Sequence, residues 1–336
     1  MTLIRALPFA GLLLAGATLP AWADCAIQPT VSANTPIVSG QLVYQSLIQN
    51  AADASSVFLY DFAKNVHANL SAKWTTVTNA RNPHFSPIDR WIVFTAVKNN
   101  RFSIFAWNPL IDEPIELTPA SSFGVSEDAS FTPDGKHIVF KNDGDIWVMS
   151  LVRKSATKLK GKGAKALTTG GSLSGTYTEA SAPVASADNR EIVFFRGSGE
   201  AEAPAQLYRL TLGPDFSNPV ETPIPKAPDA YEYYPRLTAD GTLFFARHTT
   251  EDAHDMIMRQ LPGQAAEELA TNTCGADNSD PAPLDKKRMF FSRFDPVEGR
   301  YKLQYATIGD GRVFKLKDRN INNVEFGWVT GADYKP

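Results

Sequence analysis

The sequence lacks the charge excess and the long apolar runs that mark several protein classes. Its 33 Lys and Arg nearly balance 36 Asp and Glu, giving a net charge of −3. A dedicated nucleic-acid binder normally carries a basic excess, so we expect no nucleic-acid partner. Beyond residue 23 no segment holds 18 consecutive apolar residues, so no membrane span is expected once a leader is removed.

Helical periodicity and nucleotide-binding motifs are also missing. No ten-residue stretch after residue 23 repeats apolar residues at helical spacing, which predicts an all-β chain. Neither a P-loop nor a G-x-G-x-x-G turn occurs in a strand-to-helix context, so no cofactor is predicted. The segment from Gly170 to Gly175 has Leu173 where a nucleophile elbow needs serine, which argues against Ser-His-Asp hydrolysis.

The N-terminus has the pattern of an export signal. Arg5 precedes a short apolar stretch, and Pro20 is followed by Ala21 and Ala23 in an A-x-A arrangement. This pattern predicts a signal peptide over residues 1–23, a tail over 24–37 and a periplasmic or secreted protein. An uncleaved anchor is the alternative. Lipidation is disfavoured because Asp24 stands before the cysteine that would carry the lipid.

The two cysteines, Cys25 and Cys274, are the whole cysteine content of the chain. In an exported protein such a pair favours one disulfide. This bond would close a loop of roughly 250 residues, which suits a fold whose ends meet. Two free thiols are the alternative.

A repeat of about fifty residues dominates the rest of the chain. Apolar strand cores recur at spacings of 50, 46, 54, 51 and 46 residues, as LVYQS, IVFTA, IVFKN, IVFFR, LFFAR and MFFSR. They begin at Leu42, Ile92, Ile138, Ile192, Leu243 and Met289. A short strand and a turn precede several cores, and another β-rich run follows each one. Four strands in each of six units predict a six-bladed β-propeller over residues 38–334.

The ends of the chain predict how the ring closes. The first unit lacks an inner strand, whereas the chain finishes with a surplus inner-strand segment, NNVEFGWVTGADY. We therefore expect the C-terminal strand to complete blade one and to cover its open edge. An open solenoid or a sandwich is the alternative architecture.

The repeats PHFSPIDRWIVF, ASFTPDGKHIVF and YPRLTADGTLFF resemble those of TolB-type six-bladed propellers. The resemblance covers roughly residues 38–330 and implies the fold more strongly than the function. Relatives of this type include the periplasmic TolB scaffold, oligogalacturonate lyases and the propeller domains of serine peptidases. The separate N-terminal domain of TolB is absent here, which puts a Tol–Pal role in doubt.

One rim of the predicted ring gathers the candidate binding residues. Second strands end there in arginine three times, and acidic and tyrosine residues begin the inner strands. The predicted binding set is Arg196, Arg247, Arg293, Tyr233, Tyr234, Glu127, Asp128 and Asp280, with Glu325 as a further inner-strand candidate. Because arginine offers a planar fork of donors and tyrosine a flat ring, this mouth would bind a protein or an anionic glycan. Alternatively, each arginine pairs with an acidic neighbour, for instance Arg293 with Asp280.

An enzymatic alternative uses the same rim. A lyase acting by β-elimination on a uronate polymer must neutralise the substrate carboxylate and remove a proton. Arg247 or Arg293, with His248 or Tyr233, would supply those roles. A metal between His248, Asp252, His254 and Asp255 is conceivable, but the spacing is unspecific and no metal is predicted.

A basic run, RKSATKLKGKGAKAL, stands apart from the rim. It falls on the outer strands of the third unit. Lysines on an edge strand ordinarily keep it solvated and hinder aggregation. Contact with an anionic polymer is the alternative interpretation.

Overall fold

A computed structural model describes residues 31–32, 36–47, 55–170, 179–197, 205–250, 254–272, 276–314, 316, 321–323 and 328–336. The predicted signal peptide, Cys25, Cys274, Asp252 and Glu325 lie outside these residues. The described part of the chain contains no helix long and apolar enough to cross a membrane.

The first three blades are antiparallel four-stranded sheets. Blade one contains β2 (Gln41–Leu47), β3 (Ser55–Asp61) and β4 (Val66–Asn69), with an inner strand described below. Blade two contains β5 (Thr78–Phe85), β6 (Ile92–Lys98), β7 (Arg101–Trp107) and β8 (Ile115–Glu116). Blade three contains β9 (Ser126–Phe131), β10 (His137–Asn142), β11 (Asp145–Ser155) and β12 (Lys158–Ala166).

The last three blades repeat this plan. Blade four contains β13 (Glu179–Ala185), β14 (Glu191–Gly197), β15 (Gln206–Thr211) and β16 (Val220–Pro223). Blade five contains β17 (Ala230–Leu237), β18 (Leu243–Thr249), β19 (Met256–Gln260) and β20 (Glu267–Glu268). Blade six contains β21 (Asn278–Asp285), β22 (Arg288–Asp295), β23 (Arg300–Thr307) and β24 (Val313–Phe314). Short 3₁₀ turns occur at Ser71–Lys73, Pro214–Phe216 and Ile321–Asn323.

Both ends of the described chain close the ring. The last strand, β25 (Trp328–Lys335), pairs antiparallel with β2 and is the inner strand of blade one, which confirms the predicted closure. The first strand, β1 (Val31–Ser32), pairs in parallel with β24 and becomes a fifth strand of blade six. This second pairing comes from the segment that the sequence predicts as a tail.

The core lies between the blades. The buried apolar residues fall into clusters that each join two neighbouring blades. Phe244 packs toward blade six, and the next residue, Phe245, packs toward blade four. Because both faces of each sheet are covered, a second strand reads as a continuous apolar run such as IVFF. The chain is a six-bladed β-propeller closed by its C-terminal strand, as the repeat predicts.

Candidate functional site

The rim is formed where each inner strand begins beside the end of the second strand. In blade five Tyr231 pairs with His248 and Glu232 with Arg247, and in blade six Asn278 pairs with Arg293. The antiparallel register therefore brings both groups of candidate residues to one end of each blade.

Every inner strand carries a bulge at an equivalent position. Each bulge holds one residue with positive φ, at Asn82, Asp128, Ala182, Tyr234, Asp280 and Gly331. Non-glycine residues with positive φ are uncommon, and a bulky side chain there is an outlier. A bulge re-aims the side chain it carries, and the charge of Asp128 acts on Asp280 from the opposite blade, so these side chains face the axis of the ring. Three of the predicted binding residues, Asp128, Tyr234 and Asp280, occupy this ring of bulge residues.

Asp128 links its neighbours within this ring. Its carboxylate accepts a hydrogen bond from Asn82 Nδ2 at 2.5 Å and one from the backbone N–H of Ala182 at 3.4 Å. Its own N–H donates to Thr95 Oγ1 at 3.1 Å. Asp280, in the opposite blade, has its pKa raised to about 6 by burial and by the charge of Asp128, against the effect of Arg236. The ring of bulge residues therefore contains two carboxylates, and Arg236 partly offsets the charge of Asp280.

Glu127 joins three blades instead of facing an open site. It forms ion pairs with Arg81 of blade two and with Lys141 Nζ at 3.1 Å, and Lys141 in turn binds Glu179 of blade four at 2.9 Å. Burial opposes ionisation of Glu127, but Lys141 and Arg81 outweigh it and hold its pKa below the ordinary value. The geometry gives Glu127 a structural role.

Two of the three rim arginines are matched by acids of their own blades. Arg196 makes a two-pronged contact with Glu221, from Nε at 2.6 Å and from Nη2 at 2.8 Å. Arg247 donates from Nε to Glu232 Oε1 at 2.9 Å, and Glu232 is almost completely buried. These contacts are the acidic-neighbour alternative for Arg196 and Arg247, and they neutralise much of the positive charge predicted for the mouth.

Arg293 lies two residues before the end of β22 and is half-buried. Burial lowers the pKa of its guanidinium, with Asp295 acting in the opposite direction. It pairs through the backbone with Asn278 and Lys302.

A compact group of polar side chains occupies the rim of blade five. The Tyr233 hydroxyl lies 2.9 Å from His248 Nδ1 and donates a hydrogen bond to Asp255. His248 Nδ1 is 3.3 Å from Asp255 Oδ1. The sequence offered His248 and Tyr233 as alternative bases; the structure brings the two into contact and adds Asp255 as the group that both contact.

Asp255 is the most strongly perturbed acid of this group. Burial, together with the nearby carboxylates Asp277 and Asp280, raises the pKa of Asp255 to about 8. Its backbone N–H donates to Asp277 Oδ1 at 3.1 Å, and Asp277 also accepts a hydrogen bond from Tyr301. At neutral pH Asp255 is therefore mostly protonated. The protonated carboxyl can donate a proton within this hydrogen-bonded group, and the ionised form can accept one.

Aromatic rings extend this group toward blade four. Tyr233 and Tyr234 meet edge to face with centroids 5.0 Å apart, and Phe195 lies 6.0 Å from Tyr234. On the other side Tyr231 stacks on His248 at 4.6 Å. Tyr234 remains 36% exposed, while burial among the surrounding groups raises the pKa of its hydroxyl, so solvent reaches the residue within an enclosed setting. We call Phe195, Tyr231, Tyr233, Tyr234 and His248 the aromatic cluster.

The structure provides only part of the arrangement that a lyase would need. Tyr233 and His248 are in contact, but the Arg247 guanidinium is already engaged by Glu232. Among the described residues no group of three or more His, Cys, Asp or Glu side chains has the arrangement of a metal site.

Sequence reasoning missed Glu232, Asp255 and Phe195 as members of this site. Glu232 pairs with Arg247 on the neighbouring strand, and Phe195 contacts Tyr234 across the junction between blades four and five. A single sequence shows neither contact. The only signal for Asp255 was its place in the loop with His248 and His254, where it was considered as a metal ligand.

Comparison with known proteins identifies the architecture. No family model and no curated protein sequence matches the chain. Among solved structures, TolB from Acinetobacter baumannii aligns with a TM-score of 0.63 at 17% identity, covering 89% of this chain and 67% of that one. The chain has the fold of a TolB-like six-bladed β-propeller.

Two further structures show how widely this TolB-like fold is used. A TolB-type protein from Agrobacterium tumefaciens aligns with a TM-score of 0.54 at 12% identity, over 88% of this chain and 99% of that one. Hydrazine synthase from Kuenenia stuttgartiensis aligns at 0.64 and 11% identity, over 91% of this chain but only half, 50%, of its own. At these identities the likeness describes the fold, and function has to be argued from the site.

Proposed function

We propose that this TolB-like propeller is an exported binding protein that takes a protein partner at the mouth of its channel, over the aromatic cluster. The export half of the proposal rests on the N-terminal pattern of Arg5, an apolar stretch and the A-x-A site. A glycan at the same mouth is the alternative ligand.

The observation that carries the proposal is the exposed ring of Tyr234 within the aromatic cluster. Tyrosine is enriched at the centres of protein interfaces because it buries a large area at a small cost in side-chain entropy. The residue sits at φ +52°, a conformation that costs free energy for a bulky side chain. Strain of this kind is commonly retained at functional positions.

The charged residues at the mouth indicate which side chains a partner would present there. Arg196 and Arg247 are paired with glutamates, whereas Asp128 and Asp280 sit in the ring of bulge residues next to Tyr234. An aromatic and acidic mouth favours a segment that presents apolar side chains beside a cationic one. This differs from the carboxylate-binding mouth that the three arginines suggested.

Site-specific photo-crosslinking in cells tests the proposal. A photo-reactive phenylalanine analogue at position 234 should form adducts with one defined protein. The same analogue at position 220, where Val220 is 57% exposed and pairs with Thr211 at the opposite end of blade four, is the matched control. Purified partner should bind the unmodified chain and lose at least about tenfold in affinity with Tyr234→Asn, since hot-spot tyrosines contribute about 2 kcal/mol or more. Identical adducts at both positions, or full binding by Tyr234→Asn, would count against the proposal.

A further inference from the structure

The outer strand of blade three differs from its counterparts in length. β12 spans 9 residues, whereas β4 and β16 span 4 and β8, β20 and β24 span 2. Among the described strands it pairs with β11 alone, at the edge of its sheet. A long edge strand presents unpaired backbone N–H and C=O groups to any extended chain that approaches.

Part of this edge projects beyond the blade. Pairing between β10 and β11 ends at His137 with Ser150, but β11 continues to Ser155 and returns through β12 from Lys158. The N–H of Leu151 still donates to the carbonyl of Lys136, so residues 152–155 and 158–160 form a two-stranded ribbon beyond β10.

Lysines occur at alternate positions along the exposed part of β12. Lys158, Lys160 and Lys162 are exposed, whereas Leu159 between them is buried. Alternate residues of a strand share a face and lie about 6.6–7 Å apart. We call residues 158–162 the basic edge.

These three lysines have no acidic partner among the described residues. Nearby cations are engaged: Arg153 pairs with Asp89 across the junction with blade two, and Lys165 Nζ donates to the backbone carbonyl of Asp215 at 2.6 Å. The ammonium groups of the basic edge therefore remain available to an anionic ligand, on a chain whose net charge is −3.

One glycine ends the basic edge and another lies within it. Gly163 has φ +62° and sits at a shift in register, so a bulge ends the regular strand there. A Cβ on Gly161 would come within 2.0 Å of the Met149 sulfur, so glycine lets the strand lie close over that side chain. The regular, exposed stretch is thus the five-residue basic edge.

The fold already accepts an added strand at an equivalent place. In blade six, β1 pairs with β24, which is the outer strand corresponding to β12. Strand addition at an outer edge is therefore compatible with the propeller geometry.

We propose that the basic edge docks an extended acidic segment of a partner protein, which adds to blade three as a fifth strand. Alternate carboxylates of that segment would lie opposite Lys158, Lys160 and Lys162, and its backbone would pair with β12. Opposite charges that face each other across strands stabilise the pairing, and the backbone bonds supply affinity. This site lies on the outside of blade three, away from the aromatic cluster, and does not depend on the function proposed for the mouth.

Peptide binding to the full chain tests the docking proposal. The probe is a fluorescent nine-residue peptide of alternating Glu and Thr, followed by anisotropy. Lys158→Gln/Lys160→Gln/Lys162→Gln should weaken binding by about tenfold or more, because three cross-strand charge pairs are lost. The matched triple Lys73→Gln/Lys286→Gln/Lys287→Gln, which removes the same charge from exposed positions of other blades, should leave binding unchanged.

Two further measurements separate strand addition from simple charge attraction. Replacing each Thr of the peptide by Pro removes its ladder donors and should abolish binding. Amide hydrogen exchange within residues 158–162 should slow when the original peptide binds. Equal binding of the Pro peptide, equal effects of the two lysine triples, or binding only to vesicles of anionic lipid would each overturn the proposal.

Discussion

Arg247 donates two hydrogen bonds to Oε1 of Glu232, while the other carboxylate oxygen, Oε2, is buried without a hydrogen-bond partner. Burial raises the pKa of Glu232, and Arg247 only partly offsets this effect. Leaving the buried Glu232 carboxylate without Arg247 would therefore cost free energy. Arg247, which the sequence predicts as a ligand contact, therefore stabilises its own blade through this ion pair.

Removing this arginine should destabilise the fold. Arg247→Met leaves the Glu232 carboxylate buried and unpaired, and we expect the free energy of unfolding to fall by about 3 kcal/mol. Urea unfolding followed by tryptophan fluorescence measures the change. Arg259→Met, which breaks the more exposed pair with Glu267, is the control and should cost less than about 1 kcal/mol. If Arg247→Met/Glu232→Met recovers none of the loss, the unpaired charge is not its cause.

Asp255 should make stability fall as pH rises. Its folded pKa is about 8, above the ordinary 3.8, so the folded state holds a proton that the unfolded chain releases. The resulting stabilisation is complete below pH of about 4 and is lost progressively as pH rises to about 8. Asp255→Asn keeps the shape without the titration, so its stability should decline less over this range, by several kcal/mol. Parallel unfolding profiles for the two proteins between these limits would refute the assignment.

The ring of bulge residues predicts opposite effects at two equivalent positions. Gly331→Ala puts a side chain at φ +59° with its Cβ 3.0 Å from the Gln45 side chain, so stability should fall by about 1–2 kcal/mol. Ala182→Gly relieves the same conformation at φ +50° and should leave the protein equally stable or up to about 1 kcal/mol more stable. Thermal unfolding of both variants gives the comparison. A loss from Ala182→Gly that matches the loss from Gly331→Ala would show that the backbone conformation is not the cause.

Uronate polymers should not be cleaved. Of the two arginines that could neutralise the substrate carboxylate, Arg247 and Arg293, the first is already bound by Glu232. Incubation with a panel of uronate polymers should give no ultraviolet absorbance from unsaturated products. A rise that disappears in His248→Ala and persists in His254→Ala would establish the lyase alternative and displace the binding proposal.

The candidate site was predictable in its position but only partly in its chemistry. Tyr233 and His248 could be placed together because antiparallel pairing brings the start of one strand to the end of the next. The same logic placed Arg196 at the rim, but it could not show that Glu221 of a more distant strand would bind its guanidinium. A side chain that reaches across two strands is decided by packing, which a repeat pattern does not encode.

The sequence by itself determined the number of blades, the position of each strand core and the closure by the last strand. Those features follow from the local periodicity of the strands. They also follow from the extra inner strand at the C-terminus, which matches the inner strand that the first unit lacks. Only the tertiary structure decided the bulge that turns Tyr234 and Asp280 toward the axis, and the burial that perturbs Asp255. Both arise where blades meet around the ring, because there the environment of a residue is set by segments far from it along the chain.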